Sequence, residues 1–197
     1  MLNVIFLLCL GINLLYGTSE KILKEIETYL NLMPTLTASL QQKNPDGTVV
    51  KGSLWMDRQN KKLRLYYPDS GQEIISKNKL LYFKEHALAQ VDSLDVDYTP
   101  AGLLLQKRIR FNKDVYLLES SIEGEYAHLA LSQTKTGDQG KMILSFKIEP
   151  FIKLLGWVII DPQGSTTHVV LDDVQGGILL HDKDFEFSPC QTKAQGK

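Results

Sequence analysis

Cysteine is nearly missing from this chain: Cys9 and Cys190 are the only two in 197 residues. Removal of the N-terminal leader described below leaves Cys190 alone, which excludes an intramolecular disulfide and places the burden of stability on the core. An excess of charge of one sign is missing too. Twenty-two basic residues against 23 acidic give a net charge of −1, so there is no cationic footprint for nucleic acid. The four histidines, at 86, 128, 168 and 181, form no i, i+4 pair and there is no CxxC; the spacing of a zinc site is not present. Neither a GxSxG elbow nor a glycine-rich phosphate loop occurs, which removes the common signatures of acyl and phosphoryl transfer. The carboxylates Asp92, Asp95 and Asp97 and the pair Asp172–Asp173 offer an acid and a base for glycoside hydrolysis in principle, but such runs are mostly solvated edges. The sequence therefore points to no catalytic residue, cofactor or metal.

What is present is ordinary globular composition, 43% hydrophobic and 23% charged, at the length of one domain. Residues 1–19 carry no charged side chain and contain the apolar run Val4 to Leu10, continued by Ile12, Leu14 and Leu15. Gly17 and Ser19 set small residues before a cut ahead of Glu20, the pattern of a secretory signal peptide. Asn13 and Gly17 interrupt the run, which falls short of the roughly 20 apolar residues of a membrane span. Leu8 before Cys9 is a poor lipidation context. We thus expect a leader at 1–19, one domain at 20–190 and a disordered tail at 191–197.

Within the domain, Leu23, Ile26, Leu30 and Met33 follow helical spacing over Glu20 to Met33, which Pro34 ends. The period then becomes that of strands: Leu36 to Gln42, the turn Asn44-Pro45-Asp46-Gly47, and Thr48 to Asp57, Lys62 to Tyr67, Glu73 to Ser76, Leu80 to Phe83 and Ala87 to Val91. Strands at hairpin spacing make an antiparallel meander, whose accumulated twist curls it. Thr99-Pro100-Ala101 opens a short helix through Leu103, Leu104 and Leu105, apolar on every side and so bound to be enclosed or to close over something. A basic, exposed loop is expected at Lys107 to Lys113. Strands follow at Val115 to Ser121, Tyr126 to Ser132 and Met142 to Ile148. A hairpin of Trp157 to Asp161 and Ser165 to Leu171 turns at Pro162-Gln163-Gly164, and a last strand is expected at Asp184 to Phe187. Both faces of the central strands carry bulk: Leu54 and Met56 oppose Trp55, and Leu63, Leu65 and Tyr67 oppose Arg64 and Tyr66. A one-residue shift of register inverts the faces, so alternation alone leaves open which of them points inward.

These elements resemble LolA, the periplasmic outer-membrane lipoprotein carrier of Gram-negative bacteria. The likeness rests on Tyr29-Leu30, Leu36-Thr37-Ala38 with Gln41 or Gln42, Pro45-Asp46-Gly47, Gly52, Lys62-Leu63-Arg64-Leu65 before Tyr67-Pro68, and Ile74-Ile75-Ser76. It continues through Gln90-Val91, Thr99-Pro100-Ala101, Leu144-Ser145-Phe146, Pro150, Gly156-Trp157 to Asp161, Gln163-Gly164, Val169 and Leu171. No single motif is diagnostic, but their order and spacing over roughly residues 22 to 173 are together quite specific. The family usually has Arg-Pro before the Lys-Leu-Arg strand, with the arginine tying sheet to lid. Aligned back from Arg64 without a gap, those positions hold Gln59 and Asn60, and Arg58 lies one place early. Arg58 fills the role if the loop absorbs an extra residue and is a surface arginine otherwise.

The resemblance implies a mainly β (α+β) fold: one strongly curved antiparallel sheet forming an incomplete barrel, covered by short lid helices around an apolar cavity. It implies a monomeric, non-enzymatic periplasmic carrier of acylated lipoproteins, loaded by a LolCDE-like inner-membrane transporter and unloaded to a LolB-like outer-membrane acceptor. Leu54, Met56, Leu63, Leu65, Ile74, Leu103, Leu104, Trp157 and Ile159 are the expected cavity lining, and Arg58, Pro100, Leu23, Ile26 and Leu30 the expected lid and latch. A LolB-like acceptor, a generic periplasmic lipid-binding protein and an all-β hydrolase are the alternatives.

Overall fold

The structure, a computed structural model, describes residues 19–85, 90–99 and 101–188. The leader through Thr18, Pro100, Cys190 and the tail from Gln191 lie outside the described residues, as do Ala87 to Ala89 of one expected strand.

Helix α1 (residues 19–32) leads into eleven strands: β1 (Thr35–Lys43), β2 (Val49–Asp57), β3 (Lys62–Tyr67), β4 (Gln72–Lys77), β5 (Leu80–Glu85), β6 (Gln90–Asp95), β7 (Tyr116–Glu123), β8 (Tyr126–Ser132), β9 (Lys141–Lys147), β10 (Lys153–Ile160) and β11 (Thr166–Gly176). A second helix, α2 (Ala101–Leu104), follows a 3-10 turn at Val96–Tyr98. All strands belong to one 11-stranded sheet of order β6-β5-β4-β3-β2-β1-β11-β10-β9-β8-β7. Two meanders are thus joined by the antiparallel pairing of β1 with β11. β6 and β7 are left as edges, so the sheet is not closed.

Register settles the question of faces. Ala38 sits opposite Leu54, Leu54 opposite Leu65, Leu65 opposite Ile74 and Ile74 opposite Phe83. On the other wing Val169 pairs with Trp157, Trp157 with Leu144 and Leu144 with Leu129. These residues form one continuous apolar face, against which Ile26 and Leu30 of α1 and Leu103, Leu104 and Leu105 pack in a single cluster. Each fully buried aliphatic side chain there is worth about 1.5–3 kcal/mol. The opposite face carries Trp55, Arg64, Tyr66 and Glu73. The Arg64 guanidinium lies 5.2 Å from the Trp55 ring and 5.7 Å from the Tyr66 ring, and it pairs with a Glu73 carboxylate of 0% exposure. At Gly156 β10 meets β11 so closely that a Cβ would stand 2.1 Å from the Val169 carbonyl oxygen, at φ +151°; only glycine suits that backbone.

Two local expectations are corrected. The last strand expected at Asp184 to Phe187 is replaced by a 3-10 turn at Asp182–Phe185. The Asp184 carboxylate accepts from the His181 N–H at 2.7 Å, a local bond that favours a turn over an extended chain. The turn and the residues after it lie across the outer face, where Arg64 Nη2 donates to Ser188 Oγ at 2.8 Å and the Ser188 N–H donates to Glu73 at 2.9 Å. The loop Lys107 to Lys113 is not uniformly exposed, because Ile109 within it is 2% exposed and joins the core.

Candidate ligand-binding site

The apolar side of the sheet becomes a site through the helix that covers it. Along α1, Ile26 and Leu30 are buried while Lys21, Lys24 and Glu25 face water, the amphipathic division the spacing dictates. Four polar ties from three separate parts of the chain hold this helix. The Asn31 side chain pairs with the backbone of Ile109, Nδ2 donating to its carbonyl at 2.7 Å and Oδ1 accepting from its N–H at 2.9 Å. The Glu27 carboxylate accepts from the Phe111 N–H at 2.9 Å and from Lys24 at 2.7 Å. Burial pushes this carboxyl up, but Lys24, the Phe111 N–H and the nearby charge of Arg108 outweigh it and hold the group below the ordinary glutamate value. The Leu154 N–H donates to the Tyr29 hydroxyl oxygen at 2.9 Å.

The fourth tie is Arg58. In a regular helix the Leu30 carbonyl would accept from the amide of residue 34, but Pro34 has no N–H. Arg58 Nη2 donates to that carbonyl instead, and the Arg58 N–H donates to the Pro34 carbonyl at 2.9 Å. A cation at a helix C-terminus also complements the dipole. Arg58 is 2% exposed, so it is not a surface arginine. Desolvation lowers its pKa to about 10. The turn after β2 therefore caps α1 from beneath.

Two open grooves undercut α1. One, of about 550 Å³, lies beside Tyr29, Leu32, Phe151 and Ile152; the other, of about 520 Å³, lies beside Leu23, Phe111 and Leu117. Leu32 and Phe151 are 74% and 82% exposed. At α2, a Cβ on Gly102 would meet the Val96 carbonyl oxygen at 2.6 Å, so glycine lets this short helix sit tightly on the preceding 3-10 turn.

The residues expected to line a cavity fall into two groups. Leu54, Met56, Leu63, Leu103, Leu104 and Trp157 are buried within the cluster, while Leu65, Ile74 and Ile159 are half-buried at its margin. Leu65 and Ile74 are cross-strand neighbours, and half-buried Phe83 extends their row. The expected lid residues Leu23, Ile26 and Leu30 all contact the cluster; Pro100 is outside the described residues. Phe83 was within reach of the sequence reading through its alternation with Leu81. Asn31 and Glu27 were not, since their partners lie 78 and 84 residues away, and Tyr29 entered only through the family resemblance, its partner Leu154 lying 125 residues away. Of the carboxylates considered for hydrolysis, Asp95 caps the 3-10 turn by accepting from the Asp97 N–H at 2.9 Å, Asp172 and Asp173 are exposed, and the Asp92 side chain lies outside what the structure describes. Among the described residues no group of three or more His, Cys, Asp or Glu could hold a metal ion, and no helix is long and apolar enough to cross a membrane.

The model of the family described as outer membrane lipoprotein carrier protein LolA matches residues 31–188. The chain belongs to the LolA family. An uncharacterized protein of Rickettsia prowazekii is 23% identical over 147 residues, which is 74% of this chain and 68% of that protein. Among solved structures, an uncharacterized conserved protein of Thermus thermophilus is similar at a TM-score of 0.50 and 15% identity, covering 88% of this chain and 96% of that one. A LolA superfamily protein of Nitrosomonas europaea gives 0.46 and 13%, covering 85% and 96%. The matched residues take in the whole sheet and α2 and begin only at the C-terminal end of α1.

Proposed function

We propose that this LolA-family protein is a monomeric, non-enzymatic carrier of the periplasm. It shelters the acyl chains of lipoproteins against the apolar face of a curved, incomplete barrel, receiving them from a LolCDE-like transporter and passing them to a LolB-like acceptor. The observation that carries this reading is the nature of the cover. α1 hides an apolar face spanning both wings of the sheet, yet it is undercut by grooves and held by a handful of polar ties. In the closed form side chains of α1 and α2 share one buried cluster with Leu54, Met56 and Leu63, so cargo enters as the helices move aside. An acyl chain replaces helix side chains on that face, and burial worth about 0.8 kcal/mol per CH₂ drives the exchange. Arg58 serves as the latch, and Leu65, Ile74 and Phe83 form the margin a chain meets first. Organic extraction of the mature protein purified from a Gram-negative periplasm, followed by mass spectrometry, is expected to yield stoichiometric acylated species. A protein that carries none, and that displaces no fluorescent lipid, refutes the reading.

A further inference from the structure

Capping α1 uses one donor of Arg58, and a guanidinium has five. Its Nε is fully buried and has no hydrogen-bond partner among the described residues. No carboxylate among them pairs with the side chain either. Among the described residues Arg58 is the largest of the fully buried side chains. A buried, charged, unpaired donor is a costly arrangement. It becomes favourable when an acceptor arrives that can itself enter apolar surroundings. An ester or amide carbonyl at the base of an acyl chain fits: it is neutral, offers two lone pairs and no donor, and is brought in by the hydrocarbon attached to it. A phosphate or carboxylate would also pair, but at the cost of desolvating a second charge.

Resting on the carrier reading above, we propose that Arg58 is a ligand-binding residue: when α1 moves away, its guanidinium passes from the Leu30 carbonyl to the ester or amide carbonyls that join acyl chains to the lipid backbone of the cargo. The site thereby recognises acyl linkages and not merely hydrocarbon. The same side chain closes the empty carrier and engages the loaded one, so cap and cargo compete for it.

The test compares two lipopeptides that differ only in linkage: a peptide whose N-terminal cysteine carries a glycerol with two palmitoyl esters, and its counterpart with two hexadecyl ethers, which has no such carbonyls. Fluorescent-lipid displacement from the mature wild-type protein is expected to show the ester bound about tenfold or more tightly, the scale of a hydrogen bond to a charged group. In Arg58→Met the two should bind alike. Isotope-edited infrared spectroscopy of the ¹³C-labelled ester bound to the wild-type protein supplies a readout independent of how the variant folds: a carbonyl stretch lowered from its value in hydrocarbon. Equal wild-type affinities with an unshifted carbonyl overturn the inference and leave the carrier reading standing, as does a preference that survives in Arg58→Met. Binding of neither lipid overturns both.

Discussion

Replacing Arg58 by alanine and by methionine separates the parts of the proposed latch. Alanine removes about two buried methylenes, worth ~1.6 kcal/mol, and leaves the Leu30 carbonyl without its donor, a loss of about 1–3 kcal/mol. Against this, removing a guanidinium whose pKa burial has lowered to about 10 returns about 3 kcal/mol spent on desolvation. The balance runs from no weakening of the closed cover to about 1.6 kcal/mol of it, which raises amide exchange within α1 by up to roughly 15-fold when opening is local. Methionine restores most of the apolar volume. Its balance leaves the cover unchanged or firmer by up to about 2 kcal/mol, and exchange in α1 should be no faster than in wild type. Hydrogen exchange with mass spectrometry over residues 20–33 reads both variants, with β8 and β9 as the internal reference. If methionine loosens α1 as much as alanine does, the hydrogen bond to Leu30 dominates and the charge is not the liability argued here.

The Tyr67 hydroxyl is buried and donates to Gln42 Oε1 at 2.7 Å, and desolvation raises its pKa well above the ordinary tyrosine value. The folded state keeps a proton that the unfolded chain gives up, so this contribution is whole below pH ~10 and is lost as pH climbs further; Tyr67→Phe should cost about 1 kcal/mol at pH 7 and flatten the alkaline limb of a denaturation profile. In Gly156→Ala the methyl would stand 2.1 Å from the Val169 carbonyl oxygen, and a loss of about 2 kcal/mol should lower Tm by roughly 4–8 °C in calorimetry. Glu73→Ala strips Arg64 of its carboxylate and Ser188 of its acceptor. It should lower stability by about 3 kcal/mol and make residues 182–188 the earliest site of proteolysis; an unchanged cleavage pattern would contradict the tethering role of that carboxylate.

Much of this fold can be read directly from the chain, because a period-2 pattern and its turns are local. The Pro162-Gln163-Gly164 reversal, for instance, is held by Asp161, whose carboxylate accepts from the N–H groups of Gln163 and Ser165 at 2.9 and 2.8 Å. The inward face was less legible. Leu54 and Trp55 are both bulky and apolar, and it is Arg64, stacked on Trp55 and paired with Glu73, that marks the outer side. Arg58 stands in a turn with Asp57, Gln59 and Asn60, where local chemistry favours exposure. Its burial follows from a long-range need, the Leu30 carbonyl that Pro34 cannot serve, and the signal for it in the sequence was the family resemblance, not a local pattern. The bonds of Asn31 and Glu27 to the loop at Ile109 and Phe111 likewise depend on where the chain returns, which no local pattern encodes.

Trp157 offers the most direct view of whether acyl chains reach the sheet beneath the helices. It is 5% exposed on the face packed against them, whereas Trp55 lies on the opposite face, so Trp55→Phe isolates its fluorescence. Titration with a lipopeptide brominated along its acyl chains should quench that emission strongly and saturably, while the unbrominated lipopeptide, bound equally well, should not. A brominated ligand that binds yet leaves Trp157 unquenched would place the chains elsewhere and remove the basis of the carrier mechanism.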